Sequence, residues 1–440
     1  MTEHQLLLFL AEVVLLVVGA RAGGELAVRA GIPPVVGELL CGILLGPSCF
    51  GLLWPEGFDA LFPRSTSQRS LLQLVGWLGV IFLVLLAGLE TRLGVVRRAG
   101  KAALLSWVGG FALPFAGGFA LGWLAPDSQV GPGTDRLTFA LFIGVALSIS
   151  AIPVIARILS DLGLFGSTIG MLVISTAVAD DTAGWVLLAL VAGRQSDAAG
   201  GAASLAWTLG ATAAFLLLAF TIGQKWVRIA LRSTPSHRNQ NAHTFVMLAL
   251  VFTGALITQA IGVHLVLGSF VVAVLIGRIR PRRLASAEAI REVGMAFFIP
   301  FFFAFAGLTA DFTTLRGSNL LIAGGVLVVA CATKVVGAGV GARLGGLPAW
   351  DAAAVGVGRN ARGAMELVVA AIGLSLGILT DSVYATLVLI AVVTSVTAAP
   401  ALRYCVRRSE AAARRTAGEG ERPLPPRDAA FGHEPGARGF

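Results

Sequence analysis

The chain is 440 residues long, 56% apolar and only 13% charged, against roughly 25% charged residues in an average soluble domain. That balance excludes a water-facing globule and makes a lipid bilayer the solvent. The formal charge of +9 does not mark a nucleic-acid surface, because the basic residues stand in short clusters between apolar runs and read as topology signals.

Apolar runs set against polar or Gly/Pro breaks predict an all-α polytopic membrane protein with about 13 transmembrane helices, since a crossing of ~30 Å of hydrocarbon needs ~20 mostly apolar residues. In chain order the expected spans cover 4–28, 33–53, 70–90, 101–124, 136–160, 166–193, 203–231, 241–261, 263–280, 289–309, 318–344, 350–376 and 380–404. The first span lacks the charged, short-cored, cleavable pattern of a signal peptide and reads as a retained helix. Alternate connections carry the basic residues: Arg21 and Arg29, Arg92 to Lys101, Arg157, Lys225 to Arg238, Arg278 to Arg291, Arg343, and Arg403 to Arg408. The intervening connections hold Arg64, Arg69, Arg136, Arg194 and Arg316. The positive-inside rule then places the N-terminus outside and the C-terminus in the cytoplasm, as an odd number of crossings requires. Residues 1–408 form the expected membrane domain, and 409–440, rich in Arg, Glu, Pro, Gly and Ala, an expected disordered cytoplasmic tail.

The sequence repeats weakly. Leu85–Leu93 ends span 3 and Ala304–Phe312 ends span 10, both with Ala-Gly-Leu followed by a carboxylate, and Gly37–Gly46 in span 2 matches Gly268–Gly277 in span 9. An offset of seven helices inverts the second copy, so inverted repeats are predicted, with the site where equivalent discontinuous helices meet at mid-membrane. Spans 5 and 12 are those partners. Span 5 carries Ser148-Ile-Ser-Ala-Ile-Pro153, where Pro153 removes a donor and Ser148 and Ser150 can satisfy freed backbone groups. Span 12 carries Gly356-Val-Gly-Arg-Asn-Ala-Arg-Gly363. Taken singly, the two stretches also fit a proline kink and a glycine packing face.

Asp180 and Asp181 fall near the middle of span 6, about 20 Å from either surface at ~1.5 Å per residue. Carboxylates at that depth face a cavity, pair with a counter-charge or relay protons. Neighbours on a helix point ~100° apart, so the two cannot address one ion identically and a division of labour is expected. The chain holds three lysines, Lys101, Lys225 and Lys334, and Lys334 alone is deep in a span. Burial lets a lysine release its proton as arginine does not, which suits a switchable partner of a carboxylate, although a long side chain can also snorkel to an interface. Arg362 and Glu366 are four apart in span 12 and can pair on one face as scaffold, with Arg359 and Asn360 beside them at the break. Glu12, Glu25, Glu38, Glu90 and His264 are weaker signals whose positions do not decide a role. Cys41, Cys49, Cys331 and Cys405 lack ligand-like pairing and read as small core residues. A P-loop, His-Glu-x-x-His and a metal-like histidine set are absent, so neither enzymatic chemistry nor a cofactor is expected.

Several of these motifs resemble one family. Ala146–Leu159, then Gly170–Trp185 with its Ala-Asp-Asp-Thr, then Pro33–Pro47, Gly88–Glu90, and Gly358–Gly363 with Glu366 are similar to the sodium/hydrogen exchanger family in its second monovalent cation:proton antiporter branch, over residues 33 to 400. The resemblance implies a homodimer in the cell inner membrane, each subunit with a dimerisation domain and a mobile core domain, and two crossed discontinuous helices in spans 5 and 12. It implies that Asp181 binds the transported monovalent cation or a proton, that Asp180 assists, and that Lys334 pairs with Asp180 when no ion is bound. Ser148 and Ser150 would supply neutral oxygens, as suits a hard cation such as Na+, with K+ or Li+ as the other fits. The acid pair departs from plant and glutathione-gated potassium relatives, which often have a neutral residue before the acid. If Lys334 also gives up its proton, two protons leave per cation and exchange is electrogenic. Deep carboxylates equally suit a cation channel or a carrier uncoupled from protons, and obligatory proton movement separates these readings.

Overall fold

The computed structural model describes residues 3–63, 65–90, 100–164, 167–196, 201–233, 240–279 and 285–416. The helices are α1 (Glu3–Arg29), α2 (Pro34–Leu45), α3 (Thr66–Glu90), α4 (Gly100–Leu124), α5 (Arg136–Ser148), α6 (Ile152–Asp161), α7 (Thr168–Ser196), α8 (Gly201–Leu218) and α9 (Gln224–Ser233). They continue as α10 (Gln240–Ala260), α11 (Leu265–Arg278), α12 (Ala285–Val293), α13 (Ile299–Thr309), α14 (Ser318–Leu344), α15 (Ala349–Arg359), α16 (Ala364–Ser375) and α17 (Asp381–Thr416). Two short helices, Phe50–Leu53 and Pro55–Leu61, fill the connection after α2.

Among the described residues ten helical segments are long and apolar enough to cross a membrane, fewer than the thirteen expected. The difference falls on spans 5, 9 and 12, which appear as the shorter apolar helices Arg136–Ser148, Leu265–Arg278 and Ala364–Ser375. A helix of 12 residues rises only about 18 Å, so each half of a broken span reaches part of the way. Spans 7 and 10 run through single π-helical turns at Ala219–Gly223 and Gly294–Phe298. The second is followed at once by Pro300, whose ring removes an N–H from the ladder.

Local chemistry fixes several starts. The Asp135 carboxylate accepts the backbone N–H of Leu137 and Thr138, each at 3.0 Å, and caps α5. Proline occupies the first turn of α2, where its missing N–H costs nothing. The last helix runs to Thr416, past the 408/409 boundary drawn from composition: the helix formers Glu410 to Arg414 extend it, and the Ser409 hydroxyl donates to the Asp351 carboxylate. Residues 417–440 lie outside those described, as does most of the Arg92–Lys101 cluster.

Helix packing divides the chain into two groups. One joins α1, α2, α3, α10, α11 and α13; the other joins α4, α5, α6, α7 and α14 to α17. Glycine lets the backbones approach where apolar side chains would hold them apart. The packing also repeats as the sequence does. A Cβ on Gly42 of α2 would overlap the Ala304 carbonyl of α13, and one on Gly307 of α13 would overlap the Leu39 carbonyl of α2. In the second copy Gly88 of α3 lies against Ala273 of α11. Gly37 on Gly23, and Gly268 on Gly254, are equivalent contacts of α2 with α1 and of α11 with α10. On the axis between the copies Gly109 of α4 and Gly337 of α14 face each other reciprocally.

The expected helix breaks are present and they cross. After Ser148 the backbone is extended at Ile149 (φ −76°, ψ 149°), and α6 restarts at Ile152 with Pro153 as its second residue. The Pro153 side chain lies outside those described. The other break is Asn360–Gly363, ending at φ +155° on Gly363, where a Cβ would also press on Val154 at 2.9 Å. The Ala151 N–H donates to the Ala361 carbonyl at 3.2 Å, so each interrupted strand of backbone satisfies the other.

Candidate functional site

Helix α7 carries Asp180 and Asp181 past the crossing, with α14 and α15 closing around them. Both carboxylates are buried, yet their surroundings differ. The Asp180 Oδ2 accepts from Lys334 Nζ at 2.9 Å, from the Ser150 hydroxyl at 2.7 Å and from Arg359 Nη2 at 2.8 Å. The same Arg359 Nη2 reaches Oδ1 at 2.7 Å. Asp181 is 1% exposed, and neither of its carboxyl oxygens has a hydrogen-bond donor among the described residues. The division of labour expected from the 100° offset therefore takes a definite form: Asp180 is saturated and Asp181 is open.

The cations are held by backbone carbonyls as well, at the end of α5 and inside α4 and α14. Lys334 Nζ donates to the Ser148 carbonyl as well as to Asp180, and Arg359 Nη1 donates to the Ser106 carbonyl of α4. Arg362 pairs with Glu366 at 3.3 Å, as the four-residue spacing required, and its other amino group donates to the carbonyls of Leu147 at 2.7 Å and Ala330 at 3.2 Å. The Ser395 hydroxyl donates to the Arg362 carbonyl. Arg362 and Glu366 thus tie α16 to both α5 and α14, a scaffolding arrangement. Three acids, Asp180, Asp181 and Glu366, and three bases, Lys334, Arg359 and Arg362, share one buried volume, which leaves no formal charge when all are ionised.

The serines divide their work. The Ser148 hydroxyl donates to the carbonyls of Gly144 at 2.7 Å and Phe111 at 3.2 Å, whereas that of Ser150 is turned to Asp180. The Asn360 side-chain oxygen is buried and without a donor among the described residues. Arg359 as a direct partner of Asp180 was not singled out from the sequence. Its signal was a second arginine at membrane depth beside a break, where an ionisable group must find a partner.

The Glu12 carboxylate accepts from the Gln68 amide at 2.7 Å, Glu25 pairs with exposed Arg21 at 3.0 Å, and Glu38 lies against Gly24. His264 Nδ1 accepts the Val266 N–H and the ring lies 5.1 Å from that of Trp77. The Glu90 side chain is outside those described, and the four cysteines are free thiols. A cavity of about 630 Å³ opens between the two helix groups, lined among others by Glu12, Arg69, Trp77, Asp311, Asp381 and Tyr384; neither Asp180 nor Asp181 lines it. The Tyr384 hydroxyl spans the groups by donating to the Ala306 carbonyl at 2.9 Å.

Inverted repeats, two crossed broken helices and a charged cluster at their crossing define a membrane transporter of the secondary class. The sequence matches the model of the transmembrane sodium/hydrogen exchanger family over residues 13–404, and the chain belongs to that family. It is 33% identical over 405 residues to the Na(+)/H(+) antiporter NhaS4 of Synechocystis sp., covering 91% of this chain and 97% of that protein. The Na(+)/H(+)-K(+) antiporter GerN of Bacillus cereus is 27% identical, with 90% and 96% covered. Cation/H(+) antiporter 19 of Arabidopsis thaliana is 32% identical over 90% of this chain, which spans 49% of that relative's length. The fold is that of the sodium proton antiporter MjNhaP1 from Methanocaldococcus jannaschii, with a TM-score of 0.65, 15% identity and coverage of 94% of this chain and 100% of the other.

Proposed function

We propose that the chain is a secondary antiporter that exchanges a monovalent cation, Na+ first among them, for protons at Asp181. One observation carries the reading: a fully buried carboxyl without a donor stands beside a carboxylate that is saturated with them. Such a group is stable only with its charge cancelled, by a proton or by a bound cation, and either one excludes the other. The Na(+)/H(+) and Na(+)/H(+)-K(+) activities named for the relatives support this chemistry, with K+ as the alternative cation. Both sides must reach Asp181 in turn. The separation of the helices into two groups with a cavity between them suits movement of one group against the other, and we extend the reading to thirteen crossings, an N-terminus outside, a bacterial-type inner membrane and a homodimer.

The test is exchange by purified protein in liposomes, with internal pH followed after each cation is added. Wild-type protein should move protons when Na+ is added, with an apparent Na+ affinity that falls as protons become abundant. Asp181→Asn should fold and lose exchange. Cation conductance without proton movement would instead identify a channel, and an affinity independent of pH would remove the shared site.

A further inference from the structure

We propose that Arg359 is the permanent counter-charge of Asp180, and that its presence frees Lys334 to take up and release a proton within the transport cycle. This rests on the antiport reading above and goes beyond it by assigning Lys334 and Arg359 different tasks at the same carboxylate.

Geometry separates the two cations. One amino nitrogen of Arg359 bridges both Asp180 oxygens at 2.7 and 2.8 Å, while the other is anchored on the Ser106 carbonyl of α4. The Arg359 carbonyl in turn lies 3.1 Å from the Ser150 hydroxyl, which donates to Asp180 at 2.7 Å. Asp180, Ser150 of the α5–α6 break and Arg359 at the end of α15 thereby close one ring of hydrogen bonds, which Arg359 also ties to the α4 backbone. A Cβ on Gly110 would run into the Arg359 guanidinium, so the missing side chain there makes room for it. Lys334 has a looser hold: one contact to Asp180 at 2.9 Å and one to the Ser148 carbonyl. An arginine keeps its charge under all conditions of the protein interior, whereas a buried lysine is the cation that gives its proton up.

The consequence follows from counting charges. If Lys334 alone balanced Asp180, its deprotonation would leave a bare buried carboxylate, a state that an unpaired buried charge makes strongly unfavourable. With Arg359 in place Asp180 remains paired, and Lys334 can lose its proton without that penalty. Lys334 also stands within electrostatic reach of Arg362 and Asp181, while Glu366 is taken up by Arg362. Among the described contacts α5 offers Lys334 the Ser148 carbonyl and no acid or base, while the carbonyls of Ser106 in α4 and Leu147 in α5 go to Arg359 and Arg362. Arg359 and Arg362 therefore stand around Lys334 as like charges, and Arg359 acts through the shared carboxylate as well. It is a positioning residue, since nothing places it on the transported ion.

The experiment compares wild type, Arg359→Gln, Arg359→Lys and Lys334→Gln in liposomes, reading Na+-dependent proton movement across a pH series with and without an imposed membrane potential. Arg359→Gln leaves Lys334 as the sole cation on Asp180, so the pH of half-maximal exchange should move to the alkaline side by about one to three units, the shift a nearby charge produces. Arg359→Lys should bring it back toward the wild-type value. Lys334→Gln, with Asp180 still held by Arg359, should remain folded and retain exchange that no longer responds to voltage. An unchanged or acid-shifted profile in folded Arg359→Gln overturns the proposal. Should Arg359→Gln not yield folded protein, Lys334→Gln decides: complete loss of exchange in a folded Lys334→Gln shows that Arg359 cannot balance Asp180 alone, and voltage-sensitive exchange shows that Lys334 carries no proton. Failure of wild type to move protons with either Na+ or K+ would instead refute antiport itself.

Discussion

Replacing the two neighbouring aspartates one at a time separates charge pairing from ion binding. In Asp180→Asn the side chain keeps its shape but loses the charge that meets Lys334 at 2.9 Å and Arg359 at 2.7 Å, both fully buried. An ammonium and a guanidinium then remain with one neutral oxygen between them, and the amide nitrogen of the new side chain turns a donor toward donors. Removing one partner of a buried ion pair costs about 3–5 kcal/mol, and two stranded cations put this variant at the upper end. Asp181→Asn strands nothing, because no donor meets that carboxyl among the described residues. Its cost is that of an extra buried N–H, about 1 kcal/mol. The gap of about 3 kcal/mol or more is over a hundredfold in the folded-to-unfolded ratio at 1.4 kcal/mol per decade. Reversible denaturation of both variants in mixed detergent micelles, followed by intrinsic fluorescence, measures it, and the liposome assay should show exchange lost in each. Equal stability of the two variants, or greater loss in Asp181→Asn, would refute the assignment of pairing to Asp180 and of the open site to Asp181.

Three further outcomes are expected. Lys334→Arg preserves a cation against Asp180 but not a releasable proton, so imposed voltage should alter its exchange less than that of wild type; a voltage-insensitive wild type would remove two-proton stoichiometry and leave antiport standing. Gly337→Ala drives a methyl group into the Gly109 carbonyl, an overpacking that costs about 1–3 kcal/mol, and since Gly337 is one turn from Lys334, exchange should fall along with thermal stability; a wild-type melting profile would show that α4 and α14 yield easily. A reporter joined after Phe440 should be cytoplasmic and one joined before Met1 external, and detection of both on one side would contradict thirteen crossings.

Much of the site was visible in the sequence because its signals are local. Hydropathy marks most of the spans, depth within span 6 marks Asp180 and Asp181 as costly and therefore as candidate site residues, and the helical repeat pairs Arg362 with Glu366. The Ala-Gly-Leu and glycine motifs seven spans apart foretold the inverted packing of α2 on α13 and of α3 on α11, since a close helix crossing needs small residues at fixed register. Local signals also missed details: the apolar criterion did not show that spans 5, 9 and 12 are built on helices of only 12 to 14 residues, nor that α17 continues to Thr416.

What the sequence determined by itself is the inventory: a membrane bundle with two interrupted helices, two deep acids, one deep lysine and a tight arginine-acid pair. The tertiary structure alone decided which acid is neutralised and by whom. Asp180 and Asp181 are identical in residue type and depth, and they differ only in which face of α7 meets α14, α15 and the crossing. Lys334 and Arg359 come to Asp180 from 154 and 179 residues away, and Ala151 meets Ala361 only because two breaks are folded across each other. Composition and periodicity describe how a residue relates to its own helix. A buried charge is balanced through space, by whichever helices the packing brings within 3 Å, and that is set when all the spans are assembled.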